Sequence, residues 1–148
     1  MKQFVKIIAV ATAIAMPFTA VAAHHEKHEV PAINQLIVDS ISAAQDKITQ
    51  LAGAIPEADY GYMPMEGVSD VSAVIAHVAS ANYYIGSLLG KELPEGINPR
   101  ELGEGADKAE LAEIYTASAK FVKKAIKMAS AGAMAEEIEF FGMTAPRA

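Results

Sequence analysis

The 148-residue sequence predicts an all-α protein, an up-down helical bundle, on three observations. Three separate stretches space their apolar residues by three and four, the repeat that gathers them on one face of an α-helix. Capping residues stand where these stretches begin, and proline and glycine crowd the intervals between them. Hydrophobic residues make up 52% of the chain and charged residues 20%, the balance of a globular protein able to bury a core.

The first helix is expected to follow Pro31, whose missing N–H is no loss in an opening turn. Ile33, Ile37, Ile41, Ala44, Ile48, Leu51 and Ile55 form its apolar stripe, opposite Asp39, Gln45, Asp46, Lys47 and Gln50, and Pro56 closes it. Tyr60 to Ser69 packs Gly61, Pro64 and Gly67 into ten residues, the composition of an ordered loop. Asp70 is placed to cap a second helix, along which Val71, Val74, Ile75, Val78, Asn82, Ile85 and Leu89 lay one stripe. Lys91 to Ala106, with two prolines and three glycines, reads as a long crossing loop.

Asp107, followed three residues later by Glu110, is a capping pair for a third helix. Its apolar face is Leu111, Ile114, Tyr115, Ser118, Phe121, Val122, Ala125 and Met128, and Gly132 is expected to end it. Lys120, Lys123, Lys124 and Lys127 gather towards its C-terminal end, where positive charge suits the helix dipole. Glu137 to Phe140 alternate as an extended connection, and Thr144 with Pro146 reads as the cap and first turn of a fourth helix. Three amphipathic helices enclose one another less well than four, so the expectation is a bundle whose fourth helix is missing from this chain. The competing expectation is a complete protein that borrows a helix or forms a homodimer through the open groove.

The first 23 residues have the parts of a cleaved secretory signal peptide: Lys2 and Lys6, an apolar run from Ile7 to Met16, and Ala20-Val21-Ala22. The sequence therefore divides into a signal peptide (1–23), a His-rich leader (24–30) and the bundle (31–148), with a periplasmic or secreted destination. Losing the signal peptide removes two lysines and no acid, which takes the formal net charge from −6 to −8. An acidic chain without a basic stripe is a poor partner for nucleic acid or anionic lipid, and after cleavage no membrane association is expected. There is no cysteine, so neither disulfides nor a thiol of its own are available.

Histidine is scarce enough to weigh residue by residue. His24, His25 and His28 form a short tract most simply read as a solvated leader. If cleavage follows Ala22, His25 becomes the third residue, and the free amine, two backbone nitrogens and the imidazole can wrap copper(II) or nickel(II) in a square plane. His77 is the only histidine of the bundle. At 100° per residue it falls on the flank of the second helix, in line with Ala81, Tyr84 and Leu88, so its ring is expected along the edge of the core. There it is either a hydrogen-bonded structural histidine or a metal ligand that needs at least two more from other helices.

Pro64, Gly67, Val68, Asp70, His77, Asn82, Tyr83 and Tyr84 give a loop of the form P-x-x-G-V, a capped helix, a histidine thirteen residues after the proline, and an aromatic turn. This resembles the DinB-like family, loosely from Val30 to Met143. The resemblance implies a four-helix bundle holding a divalent metal, zinc or nickel, through three histidines, with His77 as the first ligand. It implies a hydrolase or thiol-dependent transferase acting on a small-molecule substrate or thiol, with Asn82, Tyr83 and Tyr84 lining a pocket. Ser69 and Asp70 stand where the family has arginine and serine, and the paired H-x-x-x-H of its last helix is absent. The alternative is a non-catalytic exported bundle that binds a small ligand or a protein partner through its apolar groove. A serine hydrolase lacks its G-x-S-x-G turn, and no phosphate-binding loop is present.

Overall fold

The computed structural model describes residues 30–140 and 142–147. Its elements are α1 (Ala32–Ala54), a 3₁₀ turn (Glu57–Asp59), α2 (Val71–Leu88), α3 (Lys108–Met128), a short α4 (Ala131–Ala135), and two strands, β1 (Glu137–Phe140) and β2 (Met143–Pro146). The all-α bundle predicted by periodicity is the architecture observed.

The helix boundaries follow from local chemistry. Pro31 precedes α1, and Pro56 stops it once Ile55 has turned to an extended conformation. The Asp70 carboxylate accepts the Ala73 N–H and starts α2. Asp107 and Glu110 form a reciprocal capping box on α3, each side chain accepting the other's backbone N–H. The third helix stops at Met128, four residues before the expected Gly132. Ala129 is extended, and the Ser130 hydroxyl accepts the Ala133 N–H to begin α4, which contains Gly132. A serine free to cap competes with helix continuation, and here it wins.

A second correction concerns the chain after Gly142. Thr144 and Pro146 do not begin a helix. Met143–Pro146 pairs antiparallel with Glu137–Phe140, Phe140 opposite Met143 and Glu137 opposite Pro146. Gly142 takes the positive φ of 76° that a tight hairpin connection needs. The Thr144 hydroxyl donates to Glu139 across the pair instead of capping a helix, and Arg147 closes the hairpin on Glu136 at 2.8 Å. Pro146 is tolerated because it terminates an unpaired edge, where its missing N–H costs no ladder bond.

The centre of the molecule is α3, which packs against both α2 and α1, whereas α1 and α2 scarcely touch. One core cluster, at the start of α3, joins Tyr60, Ile75, Ala79, Leu111 and Tyr115; another, towards its end, joins Val38, Val122 and Ile126. Between α2 and α3 the backbones come close at Gly86, against which the ring of Phe121 lies. Polar ties fix the ends. Asn34 donates from Nδ2 to Ile126 O at 2.7 Å and Ala129 O at 2.8 Å, capping the C-terminus of α3 from the start of α1. Lys108 does the same for α1, its ammonium on Gly53 O (3.0 Å) and Ile55 O (2.6 Å), where the helix dipole favours a cation. The Ser80 hydroxyl holds the crossing loop by donating to Pro99 O at 2.6 Å.

Candidate binding site

Because α1 and α2 both lean on α3 and not on each other, an open trough runs between them. The rotation of α1 decides what lines it. The residues that α1 buries are Asn34, Val38 and Gln45, so Gln45 leaves the polar face on which the periodicity set it. They lie to one side of the isoleucine stripe, because Asn34 is held under the end of α3 by its two hydrogen bonds. The C-terminal half of the stripe therefore turns towards the opening: Ile48 and Ile55 are half-buried and Leu51 is 63% exposed, while Ile37 and Ile41 pack against Val38, Val122 and Ile126. On the facing helix Val71 and Val78 are half-buried, Val74 is 51% exposed, and Ile85, three turns further on, is 43% exposed. At the Leu51–Val74 end the trough deepens into a cavity of about 330 Å³, whose rim is completed by Tyr62, Pro64 and the Ser69–Asp70 cap.

The exposed aliphatic side chains of both helices thus border a single groove and are not scattered over the surface. Among the described residues the only charged one lining this cavity is Asp70, already committed to the Ala73 N–H.

His77 is exposed, which corrects the expectation of a ring at the core edge. It lies two residues before Ala79, the fully buried residue that faces α3, and so about 160° around the helix from it. The ring stands beyond Val74, on the outer side of the trough. Among the described residues no three His, Cys, Asp or Glu side chains gather closely enough to hold a metal ion. The donors present around His77 therefore do not fit the three-histidine site that the resemblance implies.

The three residues expected to line a pocket diverge, as consecutive residues on a helix must. Asn82 donates from Nδ2 to the Ser118 hydroxyl at 3.1 Å, and that hydroxyl donates to Tyr115 O. Tyr83 is buried with its ring 5.1 Å from that of Phe121, and burial pushes its phenol above the ordinary value. Tyr84 is exposed. His24, His25 and His28 lie outside the described residues, as do residues 1–23, the segment expected to be a signal peptide.

Sequence reasoning passed over two features. One is the rim of the trough, Leu51 and Val74, assigned to the packed face of each helix because periodicity gives a stripe but not its partner. The other is Tyr115, buried on α3 with no hydrogen-bond partner for its hydroxyl among the described residues. Burial raises its pKa and the charge of Asp46 adds to the shift. Asn34 and Gln45, polar residues eleven apart and hence on one face of α1, were the available signal for how that helix is turned.

The fold is a small helical bundle with an apolar groove between α1 and α2. The model of the DinB superfamily matches residues 40–147, most of the sequence, and the chain belongs to that superfamily. No curated protein and no solved structure matches it.

Proposed function

We propose that this DinB-superfamily chain is a non-catalytic binding module, exported by its leader, whose trough between α1 and α2 receives an amphipathic helix of a protein partner. The observation that carries this reading is the apolar cavity between the two helices, lined by Ile48, Leu51 and Ile55 of α1 and by Val71, Val74 and Val78 of α2. Apolar residues spaced by three and four on both sides, Ile48, Leu51 and Ile55 against Val71, Val74 and Val78, suit the i, i+3, i+4, i+7 anchors of a helix laid in a groove. A helix there supplies the fourth wall that a bundle of this kind packs around.

The test is a titration of the full chain with an 18-residue designed peptide carrying one leucine stripe, read by calorimetry. Val74→Glu and Leu51→Glu each place a carboxylate in the groove, and each is expected to weaken binding at least tenfold while leaving the helical circular dichroism unchanged. Lys124→Glu, on the face of α3 away from the trough, is expected to have no such effect. Equal affinity in all four proteins refutes the assignment.

Family membership favours a second reading, the metal-dependent hydrolase or thiol-dependent transferase that binds zinc or nickel through His77. It requires two further ligands beside that ring, and a helix entering the trough would have to bring them. Stoichiometric metal in the purified protein, lost in His77→Ala, would replace the binding reading with this one.

A further inference from the structure

One polar side chain interrupts the apolar stripe of α2. Asn82 takes the step after Val78 and before Ile85, and it is half-buried. Its amide is oriented by a chain of hydrogen bonds. The Ser118 hydroxyl has a single proton, which it gives to Tyr115 O at 2.8 Å, so towards Asn82 it only accepts, and it takes the Nδ2 proton at 3.1 Å. The amide therefore cannot be turned over, and Oδ1 is left as its free acceptor. That oxygen has no partner among the described residues, yet it is not one of the polar atoms sealed in the interior. A group from outside can reach it.

The side on which it opens follows from helix geometry. Asn82 comes three residues after Ala79, which is fully buried against α3, and so stands about 60° around the helix from it, on the side of Val74 and Val78 that borders the trough. Ser80, which holds the crossing loop, lies on the other side. The ties of Asn34 to Ile126 and Ala129, and of Lys108 to Gly53 and Ile55, bracket matching lengths of α1 and α3 and set them antiparallel. Midway between those ties Ser118 stands level with Ala44. Ala44 is small and exposed and brings no polar side chain to Oδ1, and Gln45 beside it is buried and makes no hydrogen bond to it.

Resting on the assignment of the trough to a partner helix, we propose that Asn82 selects a helix carrying one neutral hydrogen-bond donor, such as an asparagine amide, among its apolar anchors. A wholly apolar helix strips water from Oδ1 and returns nothing, and an acceptor left unsatisfied costs more than a typical hydrogen bond gains. A single polar residue in an apolar seam also fixes the register of packed helices, so the same contact sets how far along the trough the partner lies.

The leucine-striped peptide is compared with relatives in which asparagine replaces one leucine at a time, each titrated by calorimetry into the full chain, Asn82→Leu and Asn82→Ala. With the unaltered chain, one asparagine position is expected to bind at least as tightly as the parent peptide, and every other position about tenfold more weakly. In both variants the favoured peptide is expected to fall about tenfold below the parent, with helical circular dichroism unchanged. A purely structural Asn82, holding α2 to α3 through Ser118, would weaken all the peptides alike and overturn the assignment. The assignment is overturned equally if the parent binds the unaltered chain while no asparagine position is favoured, or if the favoured peptide keeps its rank in both variants; either result leaves the trough as a helix site. Failure of every peptide to bind the unaltered chain overturns the helix site as well.

Discussion

Gly86→Ala sets two effects against each other at the tightest point of the bundle, and the distances decide between them. In an open helix the substitution is favourable by about 1 kcal/mol, because alanine restricts the unfolded chain and suits the helix. At Gly86, however, a Cβ would stand 2.4 Å from Cε1 and 2.7 Å from Cδ1 of Phe121. Both lie roughly 1 Å or more inside the ~3.5–4.0 Å at which carbon atoms rest against each other. Phe121 is buried, packs against Tyr83 and lies under the Lys91 ammonium, so its ring cannot swing aside without losing those contacts. Overpacking of this kind costs about 1–3 kcal/mol, and weakening the aromatic pair adds about 0.5–1.5. The clash outweighs the propensity. The expected net loss is about 1–3 kcal/mol, or a fall in Tm of roughly 4–12 °C for a domain of this size.

The matched control is Gly53→Ala near the end of α1, where an added Cβ meets nothing within 4 Å. There only the favourable effect remains, and stability is expected to rise by up to about 1 kcal/mol. Thermal unfolding of both variants by circular dichroism measures the contrast. If Gly86→Ala stabilises the protein as much as Gly53→Ala does, the close approach of α2 and α3 described here is wrong.

Three further predictions rest on single observations. Asn34→Ala leaves the carbonyls of Ile126 and Ala129 without their donor and is expected to cost about 2–3 kcal/mol in urea unfolding, with amide exchange accelerated first at the end of α3. Leu111→Ala empties a fully buried site in the core and is expected to cost about 2–5 kcal/mol, several times the effect of Leu36→Ala on the exposed face of α1. The phenols of Tyr60, Tyr83 and Tyr115 have pKa values raised by burial above the ordinary 10.0. Raised values mean that the folded state holds its protons longer than the unfolded state, so this contribution is complete below pH 10 and is lost as pH climbs through the folded values. Stability is expected to fall above pH 10, and Tyr83→Phe is expected to flatten that fall.

Much of the fold was legible in the sequence because its signals are local. Three helices, two side-chain caps and both long loops follow from Asp70, Asp107, Glu110, Pro56 and the spacing of apolar residues. What periodicity could not supply was the rotation of each helix against its neighbours. The isoleucine stripe of α1 invites inward packing, yet a tertiary contact, Asn34 beneath the end of α3, turns the helix so that the C-terminal half of the stripe edges the trough. The same limit applied to His77: its place on the helix was correct, but whether a flank is covered depends on which elements pack there. At the far end, Thr144 and Pro146 carry the composition of a helix start, and the pairing with Glu137–Phe140 overrode it. A cap is a local preference worth about 1 kcal/mol, which a ladder and an ion pair can outweigh.

The account depends most on the trough being an open, apolar surface that a helix enters. The chain has no cysteine, so Val74→Cys can carry one polarity-sensitive fluorophore, with Lys124→Cys as the reference position. Addition of the leucine-striped peptide is predicted to shift emission from position 74 to the blue, saturably, and to leave position 124 unchanged. Emission at position 74 that stays constant, or that moves only as much as at position 124, would contradict the account.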